Sequence, residues 1–104
     1  MLACETPVMS PSAFKRSLLS KSPPPGLGPA LTALWWAGKD DWDKAHKIVM
    51  AEDDAHCAWV HAHLHRVEGD LDNAGYWYRR AHRKPATVGL STEWAAIATE
   101  LLKS

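Results

Sequence analysis

Side chains that could bind a metal ion or exchange protons cluster in the middle of the chain. Cys57, His61 and His65 follow one another at intervals of four residues. At about 100° per residue, this spacing places them on one stripe of a helix, together with Glu68. A thiolate and two imidazoles are ligands that zinc accepts, and side chains four residues apart can hold one ion together. The spacing therefore predicts a candidate zinc site made of Cys57, His61 and His65.

The same stripe has two interpretations that need no metal. His61 and His65 could line a polar pocket for a small molecule, because binding sites favour a few convergent polar groups in an apolar cleft. Alternatively, the two imidazoles are buried and satisfied by hydrogen bonds to neighbouring side chains. The candidate partners are Asp70, Asp72 and Tyr78.

A second group of side chains follows in the next helical segment. Tyr76, Arg80 and Arg83 share one side of that helix, whereas Tyr78 falls on its apolar side. An aromatic ring beside arginine can recognise a carboxylate, a phosphate or a flat ring. The alternative is that these basic residues complement the helix dipole in its last turn and solvate the surface.

Tryptophan is the main large apolar residue, with six copies against two tyrosines and one phenylalanine. Large aromatic residues dominate small cores, so core filling is the simpler role, and the alternative is that some of them line a binding groove. The combined hypothesis for a ligand site comprises five residues: His61, His65, Trp35, Tyr76 and Arg80.

Catalytic signatures are missing from the sequence. There is no glycine-rich phosphate loop, and Ser91 has no base beside it. Cys57 and His61 could pair as nucleophile and base, but no third group is evident to orient them. The acidic runs 40–43 and 52–54 lack the spacing of a calcium loop and are typical of helix caps. The sequence therefore favours binding over catalysis.

Cap residues, prolines and glycines divide the chain into helical segments. Residues 1–28 form an N-terminal arm, in which Ser10 caps a short helix ending near Lys21 and a proline-rich linker follows. Residues 29–104 form the main domain, with Gly38 and Pro85 as helix stops. Its predicted helices cover 29–37, 42–49, 54–68 and 71–83, and a last one follows the cap Ser91.

An internal repeat with an offset of 29 residues relates two parts of the main domain. Asp41 aligns with Asp70, and Ala45 aligns with Ala74. The second copy combines small residues, a Gly-Asp turn and an aromatic residue, which are Ala62, Gly69, Asp70, Leu71, Ala74, Tyr78 and Ala81. This pattern resembles the tetratricopeptide repeat and its Sel1-like relatives over about residues 29–103. A narrower stretch, 58–81, resembles an uncharacterised bacterial family that has no assigned activity.

The resemblance implies an all-α fold of antiparallel helical hairpins, with four main helices and a closing C-terminal helix. It also implies a binding module or self-associating scaffold without a catalytic role, because such repeats generally hold proteins together. The chain offers barely two repeats, while arrays need about three for stability, so a second copy could cover the exposed end. The expected partner is therefore a protein, a peptide or a second copy of the chain.

Charge and composition exclude several classes of partner. Twelve basic residues balance twelve acidic ones, and nucleic-acid or anionic-membrane binding would need a basic excess. No apolar run approaches the length of a membrane span. Cys4 and Cys57 lack the spacing of a disulfide framework, which favours reduced thiols and a cytoplasmic location. Residues 2–4 faintly resemble a lipoprotein signal, but the basic and apolar segments of such a signal are missing.

Overall fold

The computed structural model describes residues 9–103, so the sequence around Cys4 lies outside the described residues. Within this range the chain forms α-helices and one short 3₁₀ turn and contains no strand, which confirms the predicted all-α class. The helices are α1 (Pro11–Arg16, continued by the 3₁₀ turn Ser17–Leu19), α2 (Pro29–Gly38), α3 (Trp42–Met50), α4 (Ala55–Val67), α5 (Leu71–Arg80) and α6 (Leu90–Lys103). None of these helices is long and apolar enough to cross a membrane.

Short polar side chains start four of the helices, as the sequence predicts. Ser10, Asp41, Asp54 and Asp70 are the N-caps, and each accepts a hydrogen bond from the backbone N–H three residues later. Such a bond satisfies one of the amide groups that a helix leaves unpaired at its start. The last helix differs from the prediction, because α6 already begins at Leu90 and Ser91 lies inside it.

Left-handed residues end three of the helices. Gly69 follows α4 with φ of 88°, and its lack of a side chain makes this conformation easy to adopt. Asp40 takes the equivalent place after α2 with φ of 63°, so α2 ends at Gly38 as predicted, but the left-handed residue of this turn is Asp40. His82, with φ of 60°, ends α5 near Arg80, earlier than the predicted position 83.

The two turns related by the internal repeat have the same hydrogen bonds. The Asp41 N–H donates to the carbonyl of Trp36 at 2.9 Å, and the Asp70 N–H donates to that of His65 at 2.9 Å. Both bonds span five residues and close the helix end in the manner of a Schellman motif. The 29-residue offset therefore corresponds to a repeated turn geometry as well as a repeated sequence.

One core joins most of the helices. Helix α2 packs on α3, α4 packs on α5, and α6 lies against both α2 and α4. The arm belongs to this core, because Phe14 is fully buried and its ring stacks 5.5 Å from that of Trp94. Trp35 donates its indole N–H to Ser17 at 3.0 Å, which fixes the 3₁₀ turn against α2. Leu19, the last residue of this turn, is 88% exposed.

Gly38 lets three elements meet at close range. A Cβ atom at this position would lie 3.0 Å from side-chain carbons of both Leu18 and Trp94. Real Cβ atoms rarely come this close to a neighbour, so a larger residue would displace the arm or α6. Gly38 therefore ends α2 as predicted and also allows close packing of the arm and α6.

Candidate metal centre

Helices α3 and α4 bring three imidazoles together beside the core. His46 comes from α3, and His61 and His65 lie one turn apart on α4. One ligand nitrogen from each ring lies within 4.8 Å of the other two. The Nε2 atoms of His46 and His61 are 3.1 Å apart, close to the spacing of about 3.3 Å required by a tetrahedral zinc ion with bonds of about 2.0–2.1 Å.

Two tryptophan rings hold these imidazoles in place. Trp77 stacks on His61 with ring centroids 3.8 Å apart, and Trp42 stacks on His46 at 4.4 Å. Trp42 is itself fixed, because its indole N–H donates to the carbonyl of Leu64 at 2.7 Å. Ligands held in one orientation lose less conformational entropy when an ion binds.

Glu68 orients the third imidazole. The Nδ1 atom of His65 lies 2.6 Å from Oε2 of Glu68, so Nδ1–H donates to the carboxylate and Nε2 remains for a ligand. A carboxylate on the far nitrogen of a histidine is a common second-shell arrangement in zinc sites, where it fixes the ring and raises its basicity. Glu68 lies on the stripe predicted from the sequence.

Burial keeps two of the imidazoles uncharged at neutral pH. Desolvation, followed by the nearby His46 and His65, lowers the pKa of His61 to about 3. Desolvation and His65 also lower the pKa of His46. The neutral imidazole is the form that binds metal ions.

One nitrogen of the cluster has no hydrogen-bond partner among the described residues. His61 is 3% exposed, and its Nδ1 atom is buried without a partner. An unpaired buried polar group typically costs about 1–3 kcal/mol, so it calls for an explanation. A metal ion bound at the Nε2 atoms of His61 and His46 would replace the hydrogen bond between them and would leave this Nδ1 atom unpaired.

Cys57 lies away from the three imidazoles. Its side chain is 1% exposed and packs in the main core, and its sulfur is not part of the group of ligand atoms formed by His46, His61 and His65. Four residues advance a helix by about 400°, so a stripe of this spacing turns by about 40° at each step. Over the eight residues from Cys57 to His65, this rotation around the helix axis is large enough to separate the two side chains. His46 of α3 supplies the third ligand atom of the group instead.

The other predicted ligand residues are divided between core and surface. Trp35 is completely buried in the main core and does not line the histidine cluster. Arg80 donates to the Tyr76 hydroxyl at 3.0 Å and to Asp53 at 3.0 Å. Its guanidinium lies 5.5 Å from the ring centroid of Trp77, the ring that stacks on His61.

Three residues of the cluster were not among the site residues predicted from the sequence: His46, Trp42 and Trp77. His46 is 15 residues from His61, and no local spacing connects positions on two different helices. Both tryptophans resemble the other core-filling aromatics in the sequence. Only the packing of α3 and α5 against α4 shows that their rings face histidines rather than aliphatic side chains.

A second buried polar cluster lies elsewhere around α4 and is centred on Glu93 of α6. Its Oε1 atom accepts hydrogen bonds from His63 at 2.8 Å and Arg66 at 2.9 Å, and its Oε2 atom accepts one from Tyr78. Desolvation opposes ionisation of Glu93, but these three donors outweigh it and hold its pKa below the usual value. Tyr78 therefore serves Glu93 rather than His61 or His65, for which it was a candidate partner.

Comparisons with known proteins do not assign the chain to a family: no family model matches it, and neither a curated protein nor a solved structure does.

Proposed function

We propose that the protein binds one zinc-like divalent metal ion through His46, His61 and His65. The observation that supports this function best is the convergence of three imidazole nitrogens within 4.8 Å of one another. Imidazole suits zinc and its neighbours in the first transition row, and three protein ligands leave a fourth position for water or another ligand. The ion would tie α3 to α4 and thereby join the two repeated halves of the domain.

Zinc binding to the metal-free protein tests this proposal directly. We expect isothermal titration calorimetry to give one ion per chain, and we expect the thermal midpoint to rise. A free zinc concentration about 100 times the dissociation constant adds about 2.7 kcal/mol of stability, provided that the unfolded chain does not bind. If zinc does not change the thermal midpoint, the proposal is wrong and the three histidines are a hydrogen-bonded feature of the core.

Matched histidine variants locate the site. His61→Gln removes a buried ligand and should abolish the zinc response, whereas His56→Gln changes an exposed histidine of the same helix and should preserve it. Glu68→Gln should weaken zinc binding by roughly 10–100-fold, the usual effect of losing a second-shell partner. Equal affinities for the His56 and His61 variants would contradict the proposed ligand set.

A further pair of variants separates this site from the one predicted by sequence spacing. His46→Gln should abolish binding if the third ligand comes from α3, and Cys57→Ala should leave the affinity unchanged. The opposite result would restore Cys57 as the ligand.

As a second candidate function, we propose that the two repeated halves are related to tetratricopeptide-like hairpins and act as a self-associating scaffold. The observation in favour is a set of exposed apolar side chains, namely Val67, Leu71, Val88 and Leu90. A second copy could cover them and supply the repeats that this chain lacks. Sedimentation equilibrium should then show a dimer that Leu71→Lys weakens, and a monomer at high concentration would contradict the scaffold.

A further inference from the structure

A cavity of about 320 Å³ lies between the N-terminal arm and helices α2, α4 and α6. Its walls are mainly apolar and include Leu18, Val67, Leu90, Trp94 and Ala95. Val67 and Leu90 remain 46% and 40% exposed, so the apolar wall continues onto the outer surface. The three proposed metal ligands do not line this cavity, which is therefore separate from the metal centre.

Further apolar side chains extend this surface beyond the cavity. Leu19 directly follows the lining residue Leu18 and is 88% exposed. Val88, two residues before Leu90, is 47% exposed. Exposed apolar side chains that cluster within a polar border mark protein–protein interaction sites. The cavity, together with Leu19 and Val88, is called the cavity face.

The cavity face combines a projecting side chain with a recess. Leu19 projects into solvent, and the cavity beside it has room for an aliphatic side chain. A two-fold symmetric interface uses the same surface patch on both copies, so a projection and the recess that receives it must belong to one patch. Leu19 and the adjacent cavity meet this requirement.

The charges of the cavity face are also complementary to each other. Lys15 of the arm and Asp40 of the α2–α3 turn both line the cavity and are both exposed. None of the ion pairs between described residues involves either side chain. In a two-fold interface Lys15 of each copy can meet Asp40 of the other, which gives two intermolecular pairs. A strongly acidic or strongly basic partner would instead be repelled by one of the two residues.

From these observations we infer that the cavity face binds a second copy of this chain through a two-fold interface. Leu19 of each copy enters the cavity of the other, and Lys15 and Asp40 pair across the two-fold axis. The net charge of zero adds no long-range repulsion between the copies. This inference rests on the self-association proposed as the second function, and it identifies the surface that carries it.

Sedimentation equilibrium of the parent protein and of two leucine and methionine variants tests the apolar contact. The parent should form a dimer, and Leu19→Ser should raise its dissociation constant at least about tenfold, because a few central side chains carry most of the binding energy of an interface. Met50→Ser removes a side chain of α3 that is 63% exposed and does not line the cavity, so it should change nothing. Equal dissociation constants for the parent and Leu19→Ser would overturn the inference.

Charge reversal tests the intermolecular ion pairs. Lys15→Glu should weaken the dimer at least about tenfold, because like charges then meet twice across the axis. Arg16→Glu makes the same change in net charge at an exposed position that does not line the cavity, and it should have little effect. Equal effects of these two substitutions would refute the proposed pairing.

Mixing two reversed variants provides a test that only a second copy can pass. Lys15→Glu and Asp40→Lys should each be largely monomeric alone, but their mixture should form a heterodimer, because each acidic residue then meets a lysine. Absence of the heterodimer in a mixture of folded variants would contradict the interface. Lysine at position 40 must adopt a φ of 63°, so if Asp40→Lys does not fold, the comparison of Lys15→Glu with Arg16→Glu decides the question.

The same measurements separate this interface from self-association in general. A dimer that is weakened by Leu71→Lys but unchanged by Leu19→Ser and Lys15→Glu would retain the scaffold and refute the cavity face as its interface. A parent protein that stays monomeric at high concentration would refute both.

Discussion

Removing Glu93 should cause a large loss of folding stability, because its carboxylate is buried and holds three donors. Its side chain is 3% exposed and accepts hydrogen bonds from His63, Arg66 and Tyr78. Truncating one member of a buried ion pair costs about 3–5 kcal/mol, since the other charge loses its partner. We therefore expect Glu93→Ala to lower the free energy of unfolding by about 3–5 kcal/mol.

Urea denaturation followed by circular dichroism measures this loss. A domain of this size is stable by about 5–15 kcal/mol, so the change is a large share of the total. The thermal midpoint should fall by at least about 12 °C, because 1 kcal/mol shifts it by about 4–8 °C at this length. Glu52→Ala, which removes an exposed carboxylate, should change stability by less than about 0.5 kcal/mol.

A double-mutant cycle between Tyr78 and Glu93 isolates one bond of the cluster. Tyr78→Phe removes only the hydroxyl, and a hydrogen bond to a charged group contributes about 1.5–3 kcal/mol. Combined with Glu93→Gln, it should give a coupling energy above about 0.5 kcal/mol. A loss below about 1 kcal/mol for Glu93→Ala, or no coupling, would refute the reasoning.

The contribution of Glu93 should also depend on pH in a defined direction. Its pKa in the folded protein lies below 4.5, the ordinary value expected in the unfolded chain. At low pH the unfolded state therefore takes up this proton first. The stability advantage of the parent protein over Glu93→Gln should be fully present above pH 4.5 and disappear as the pH falls through the folded pKa.

Three further outcomes follow from other parts of the structure. Burial, followed by Asp54, raises the pKa of Cys57 to about 12, so a thiol reagent at pH 8 should modify it only after unfolding. Asp41→Ala and Asp70→Ala should each cost about 0.5–2 kcal/mol in urea denaturation, since each removes an N-cap bond, and unchanged stability would argue against these caps. Gly38→Ala should destabilise the domain through overpacking, by about 1–3 kcal/mol before the small gain in helix propensity is subtracted. Gly75→Ala should be neutral or stabilising, because a Cβ added there meets nothing closer than 3.6 Å.

The positions of the helices were predictable because their signals are local. Asp41, Asp54 and Asp70 cap the helices that follow them, as a short polar side chain before an apolar periodic segment predicts. The errors lie at helix ends, where the left-handed residues are Asp40 and His82 rather than glycines. A left-handed aspartate or histidine carries no clear sequence signal, whereas a glycine does.

The composition of the candidate sites depended on contacts between helices. The four-residue spacing grouped Cys57 with His61 and His65 in one predicted site. Side chains at this spacing rotate gradually around the helix axis, however, and Cys57 lies in the core. His46 completes the cluster because α3 packs on α4 beside it.

What the sequence determined by itself is the order and approximate position of the helices, because caps, prolines and helical periodicity act within a few residues of each other. Only the tertiary structure decided which polar side chains meet. His46 with His61 and His63 with Glu93 are pairs separated by 15 and 30 residues, and their contact depends on how whole helices pack.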